Sequence, residues 1–184
     1  MQTSLPQGFI PVMLTPFLEN GNIDFDGLTK LTEFYLEAGA AGLFANCLSS
    51  EMYELSEDER LAITKHVVDA ANGRVPVVAT GTFGGPIAEQ AEFVKKIYAT
   101  GIQAVIVITS LIATAEESDE VFMARMHELL SLTPGVSFGL YECPVPYKRL
   151  VTAENLGELA ATGRVIYHKD TSLDIENVKA KIAA

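Results

Sequence analysis

The chain has 184 residues, 48% of them apolar and 20% charged, which suits one sizeable core and excludes a disordered segment. A formal net charge of −11 argues against nucleic acid or an anionic membrane surface as partner. Charged residues interrupt each apolar run before it reaches membrane-spanning length, which excludes a membrane helix.

In chain order, the sequence falls into units of about 30 residues, each a short apolar strand followed by an amphipathic helix. The first strand is expected over Phe9–Leu14, followed by a helix over Asp26–Ala38 with Leu28, Leu31 and Tyr35 on one face. Gly42–Asn46 is the second strand. Ser56-Glu57-Asp58-Glu59 is a capping box that opens a helix facing inward with Leu61, Thr64, Val67, Val68 and Ala71. Val75–Thr80 is the third strand, and Pro86 suits the first turn of the helix after it, with Ile87, Ala91, Val94 and Ile97 turned inward. Ala104–Ile108 follows, then a helix beginning near Thr114–Glu117 that buries Phe122, Met126, Leu129 and Leu130. Ser137–Tyr141 precedes a helix capped by Thr152, with Leu156 and Leu159 facing in, and Val165–His168 is the last strand. Gly39, Gly73, Gly101, Gly135 and Gly163 recur where each helix gives way to the next strand.

Near-continuous apolar strands alternating with helices predict a parallel sheet covered on both faces, with right-handed crossovers. An open doubly wound sheet would carry a glycine-rich phosphate loop after its first strand, where this chain has Thr15-Pro16-Phe17. A (β/α)8 barrel predicts small and polar residues after several strands, converging on one face. Thr15-Pro16, Cys47 to Glu51, Gly81 to Gly85, Thr109-Ser110, Tyr141-Glu142 and Lys169-Asp170 give that pattern. The expectation is a single α/β domain over 1–184, a TIM barrel with about six of its eight units and so incomplete at its C-terminal end.

Lys169 ends a buried strand. Desolvation there would lower its pKa and free the amine to attack a carbonyl, although the same pattern fits a solvated lysine where strand meets loop. Tyr141 ends the neighbouring strand and can exchange protons with a substrate, or serve as a core or rim aromatic. Ser49-Ser50 can form an anion nest for a carboxylate or an ordinary polar turn. Glu51 reads as structural, and Glu142 lies near the expected mouth without an assigned role. His66 and His127 fall within helices, and His168 should point to the face opposite Lys169. No His, Asp or Glu cluster shows metal-ligand spacing, and there is no phosphate loop or dinucleotide fingerprint, so no cofactor is expected. Cys47 and Cys143 form neither a disulfide framework nor a metal motif, and Met1 to Gln7 has no signal-peptide pattern. Both facts suit a cytoplasmic protein.

These residues together resemble the dihydrodipicolinate synthase/N-acetylneuraminate lyase family from about residue 8 to 175. The resemblance is carried by Gly8 to Phe17 with Gly21-Asn22-Ile23-Asp24, Ser49-Ser50-Glu51, Gly81-Thr82, Tyr141-Glu142-Cys143-Pro144 and Lys169-Asp170-Thr171-Ser172. It implies class I aldolase chemistry on pyruvate or another 2-oxo acid in a homo-oligomer, a dimer or tetramer. Lys169 would be the Schiff-base nucleophile, Tyr141 the proton shuttle and Ser49-Ser50 the carboxylate loop.

There are departures. Leu48 replaces the first hydroxyl of that loop, and Cys47 and Ser50 replace its two glycines. Leu111-Ile112 stands where synthase members have a tyrosine pair, and Pro146 where they have an arginine for the second carboxylate of the aldehyde. The expectation is therefore a lyase, aldolase or sugar-acid dehydratase rather than a true dihydrodipicolinate synthase. A relative that only binds a 2-oxo acid or serves as an assembly subunit is the alternative. Family members continue beyond the end of this chain, which leads us to expect a fragment of a longer product, the alternative being a natural truncation completed by a partner. In either case the activity is expected of the parent protein rather than of the 184 residues alone.

Overall fold

The computed structural model describes residues 8–184; the segment Met1 to Gln7, read above as lacking a signal peptide, lies outside them. The chain divides into two compact units. Within the described residues the first holds 8–80 and 96–103, and the second holds 81–95 and 104–184. No helix among the described residues is long and apolar enough to cross a membrane.

The first unit contains α1 (Phe25–Glu37), β1 (Leu43–Ala45), α2 (Glu57–Ala71) and β2 (Val77–Thr80). β1 and β2 are parallel, with Leu43 opposite Val77 and Ala45 opposite Ala79, and both strands are buried throughout. The strand expected over Phe9–Leu14 forms a looser attachment. Its carbonyls at Phe9 and Pro11 accept from Ala41 and Phe44, Met13 donates back to Phe44, and one parallel bridge joins Val12 to Phe44. Pro11 has no N–H and cannot donate to a ladder, which limits this segment to a bridge.

Asp24 caps α1 by accepting from the Gly27 N–H, and α1 buries Leu28 and Thr32, one turn apart, with Leu31 and Tyr35 half-buried. The Ser56–Glu59 capping box forms as expected, each side chain accepting from the other residue's backbone N–H. The buried face of α2 is Ile63, Thr64, Val67 and Ala71, so Ile63 takes the place expected for Leu61. Asn46 contributes to this choice: its amide donates to the Arg60 carbonyl and to Thr64 Oγ1, drawing that face of the helix toward the end of β1.

Helix α3 (Ile87–Tyr98) runs in sequence from the second unit into the first. The second unit continues with β3 (Ala104–Ile108), α4 (Asp119–Leu132), β4 (Phe138–Tyr141), α5 (Ala153–Ala161), β5 (Val165–Lys169) and α6 (Ile175–Ala183). β3, β4 and β5 are successive parallel neighbours, with Ile108 opposite Tyr141 and Tyr141 opposite Lys169. Between Phe138 and Gly139 the register with β5 shifts: Phe138 faces Val165 and Gly139 faces Tyr167, leaving Ile166 as the extra residue of a bulge. Gly139 is required there, because a Cβ would lie 2.6 Å from Ile106 Cδ1 and 2.9 Å from Tyr167 Cβ.

α4 starts later than its sequence suggests. Thr114–Glu117 instead forms a turn closed by the Glu117 carboxylate on the Thr114 N–H, and the helix opens after Ser118. Its buried face of Phe122, Met123, Met126, Leu129 and Leu130 contains every residue expected. Thr152 caps α5 through the Asn155 N–H, and Asp174 caps α6. The five glycines that follow the helices all have positive φ, from 70° at Gly163 to 100° at Gly101.

Candidate active site

Parallel strands present their last residues at one end, and in the second unit those residues are Ile108, Tyr141 and Lys169. Register alone makes Tyr141 and Lys169 neighbours, and their side chains meet: Lys169 Nζ lies 3.8 Å from the centroid of the Tyr141 ring. Tyr141 is 3% exposed and Lys169 half-buried, so both leave bulk water without leaving the end of the sheet. The end of β4 is fixed from its other side by Thr109, whose hydroxyl lies 2.7 Å from the Arg149 carbonyl and 3.3 Å from that of Tyr141. Thr82, in the loop after β2, accepts from the Ile108 N–H.

Ser49 and Ser50 belong to the first unit, in a single 3-10 turn over Leu48–Ser50. Ser49 is exposed. Ser50 is buried; its hydroxyl donates to the Met13 carbonyl at 2.6 Å and accepts from the Cys47 N–H at 3.1 Å. The Ser50 carbonyl accepts from Thr15 Oγ1. Ser50 therefore holds the turn to the segment before it, and the exposed hydroxyl is that of Ser49. Glu51 closes the turn in a left-handed conformation, φ 57°, with its N–H donating to Leu48.

On the strand faces opposite Tyr141 and Lys169 lies a second constellation, which spacing along the chain does not reveal. Glu142, His168 and Asp170 come within 4.8 Å of one another through their ligand-type atoms. Alternation was the available signal: the residues flanking Tyr141 and Lys169 must share the other face at the same level. The Lys181 ammonium, from α6, reaches into this group, 2.5 Å from Glu142 Oε1 and 2.6 Å from Asp170 Oδ2. A metal ion bound to these three groups would have to displace that ammonium, so the lysine is the cation that the carboxylates hold here.

Burial raises the Glu142 pKa. The approach of His168, the Lys181 ammonium and the N–H groups of Thr171 and Val151 outweigh it and lower the carboxyl to about 2. Asp170 likewise falls to about 2, its desolvation outweighed by hydrogen bonds from Lys181 and Ser172. His168 Nε2 stands 3.5 Å from Glu142, the limit of hydrogen bonding, and as expected lies on the face opposite Lys169. The helical histidines are both engaged at the surface, His66 with Thr29 Oγ1 and His127 with Glu158.

Pro146 and Leu111 line one cleft of about 450 Å3 in the second unit. Its arginine, Arg125, is already bound to the Glu117 carboxylate at 2.6 and 2.7 Å and to the Ile112 carbonyl. Arg149, three residues after Pro146, is turned elsewhere: its guanidinium donates to Thr114, Glu117 and Asp119.

Against known proteins, residues 5–184 match the family described as Dihydrodipicolinate synthetase. A 4-hydroxy-tetrahydrodipicolinate synthase of Cereibacter sphaeroides is 31% identical over 179 residues, covering 97% of this chain and 60% of that protein. Among solved structures, the chloride-inhibited dihydrodipicolinate synthase of Acinetobacter baumannii complexed with pyruvate superposes with a TM-score of 0.85 at 24% identity. That alignment covers 96% of this chain and 60% of the other. An N-acetylneuraminate lyase of Mycoplasma synoviae gives 0.77 at 22% identity, over 96% and 58%. The chain thus spans less than two thirds of the length of the curated relatives it matches. Its alternating strands and helices are the corresponding part of a (β/α)8 barrel fold.

Proposed function

Because the chain belongs to the dihydrodipicolinate synthetase family, we propose that Lys169 is the nucleophile of a Schiff-base lyase or aldolase acting on pyruvate or another 2-oxo acid. The observation that carries this reading is the pairing of Lys169 with Tyr141 at the ends of β5 and β4, amine over ring at 3.8 Å. The neutral amine adds to the ketone carbon, and the carbinolamine then loses its oxygen as water, leaving an imine on Nζ. The protonated imine draws electrons from the adjacent carbon, so that a carbon–carbon or carbon–hydrogen bond breaks and an enamine forms. Tyr141 supplies the proton that leaves with water and takes up the one released by the substrate. The role of carboxylate loop is carried over to Ser49 and Ser50 from the family resemblance; within the first unit the Ser49 hydroxyl is exposed and Ser50 holds the turn in shape.

The second substrate is a neutral or hydroxylated aldehyde, or the reaction runs as cleavage of a 2-keto-3-deoxy sugar acid or a sialic-acid-like compound. Pro146 offers no charge to a second carboxylate, and Arg125 and Arg149 are bound to partners within the protein. The curated relatives carry synthase names, so this selectivity is what sets the present reading apart from theirs. A homo-oligomer in the cytoplasm is the setting it expects, checked by light scattering and by fractionation.

The test is incubation with pyruvate, reduction with borohydride, and intact mass followed by peptide mapping. A pyruvate-derived adduct on Lys169 is the expected result. Folded protein that forms no adduct, or carries it on another lysine, would refute the assignment.

A further inference from the structure

We propose that Glu142 is a positioning residue for the Lys169–Tyr141 pair: with Lys181 it clamps the ends of β4 and β5 from the face opposite the pair, setting the amine against the phenol. The proposal rests on the reading of Lys169 as nucleophile.

Every hydrogen bond to Glu142 points to this role. Its side chain is wholly buried. Oε1 accepts from the Val151 N–H at 2.9 Å and from Lys181, and Oε2 accepts from the Thr171 N–H at 3.0 Å. Its backbone N–H donates to the carbonyl of Lys169 itself, and its carbonyl accepts from Thr171 Oγ1 at 2.6 Å. One residue therefore grips the chain at Lys169 and again two residues later, and also ties down the loop that follows β4.

Lys181 completes the clamp. It is the buried residue of α6, 3% exposed in its side chain, and its ammonium joins Glu142 to Asp170. Asp170 is the residue immediately after the nucleophile, and its other oxygen accepts from both the N–H and the hydroxyl of Ser172. Both neighbours of the reacting pair, Glu142 after Tyr141 and Asp170 after Lys169, are thus held by the same ammonium.

A buried ion pair adds little net stability over an apolar packing of the same volume, because desolvation offsets the attraction. What it can supply is a fixed geometry. An amine that must approach a carbonyl along one direction, with a phenol placed to move its proton, loses rate when either strand end drifts, and a misplacement of about 1 Å can cost on the order of 100-fold.

The experiment times adduct formation on Lys169 by borohydride quench, as a function of pyruvate concentration and well below the melting temperature, in the wild-type chain, Glu142→Gln, Lys181→Met, Lys181→Arg and Asp170→Asn. The expected result is a fall of about 10–100-fold in the maximal rate for Glu142→Gln and Lys181→Met, with the half-saturating pyruvate concentration nearly unchanged. Lys181→Arg, which retains the charge, recovers part of the rate. Wild-type rates in Glu142→Gln and Lys181→Met would overturn the proposal, as would losses that match the unfolded fraction seen by circular dichroism. If Glu142→Gln does not fold, Asp170→Asn decides, since it leaves Glu142 in place. A several-fold slower maximal rate supports the clamp, and an unchanged one overturns it. Absence of any adduct in the wild-type chain would instead sink the assignment of Lys169.

Discussion

At the scale of single residues, the contrast between Lys169 and Lys181 is instructive. Both are lysines with restricted solvent exposure in the same unit, yet Lys181 lies between two carboxylates while Lys169 faces an aromatic ring. The Lys181 nitrogen is engaged by Glu142 and Asp170 at 2.5 and 2.6 Å, so it is not presented to a substrate. Lys169→Arg should abolish the borohydride-trapped adduct while circular dichroism shows the fold intact, because guanidinium keeps its proton. Tyr141→Phe should still form some adduct but slow turnover by about 10²–10⁴-fold, as expected when a proton-transfer group is lost. Glu142 and Asp170 give a separate prediction about pH. Both titrate lower in the folded chain, near 2, than their ordinary values of 4.5 and 3.8. The stability they contribute is complete above the ordinary values and is lost as pH falls from there toward 2. Melting temperatures measured across that range should drop steeply for the wild-type chain. They should drop less for Glu142→Gln, whose amide does not titrate, and equal slopes would contradict this account.

Among the elements, the turn between α4 and β4 depends on a cation from outside it. Arg164, just before β5, donates to the carbonyls of Leu130, Thr133 and Val136, which end that helix and lead into the strand. A positive group there satisfies orphan carbonyls and complements the helix dipole. Arg164→Met should destabilise the chain by roughly 2–4 kcal/mol, read by urea denaturation, since hydrogen bonds from charged groups are among the stronger ones. Most elements were legible in the sequence because their signals are local: Ser56 with Glu59, Thr152, and the glycines after each helix. Where reading by period failed, a backbone or polar contact that periodicity does not register had intervened. Pro11 removed a donor from the first strand, Asn46 selected which face of α2 turned inward, and the Glu117 carboxylate held Thr114 in a turn. The Lys169–Tyr141 pair was legible because both end apolar runs. Lys181 was not, since nothing within a charged helical stretch marks the one lysine that turns inward.

For the whole molecule, selectivity is the property most open to test. The proposed selectivity rests on Pro146 and Leu111 sharing one cleft whose arginine is paired to Glu117, which leaves an acidic aldehyde without that arginine as partner. Given pyruvate, the protein should turn over neutral or hydroxylated aldehydes in preference to aspartate semialdehyde, measured as kcat/KM for each. Efficient condensation with aspartate semialdehyde would place the chain with its synthase-named relatives and refute the selectivity.

The bulge at Ile166 has a consequence for how β5 can change length. Strand faces alternate, so in an unbroken ladder each added or lost residue exchanges inside for outside from that point on. Counted without the bulge, His168 rather than Lys169 would fall beside Tyr141. Because Gly139 leaves room for the extra residue, the count is corrected before it reaches the mouth, and the two halves of β5 are free to vary independently. Deleting Ile166 should therefore leave the proposed adduct on Lys169, whereas Gly139→Ala, which puts a methyl against Tyr167, should diminish it although the change lies two residues from Tyr141.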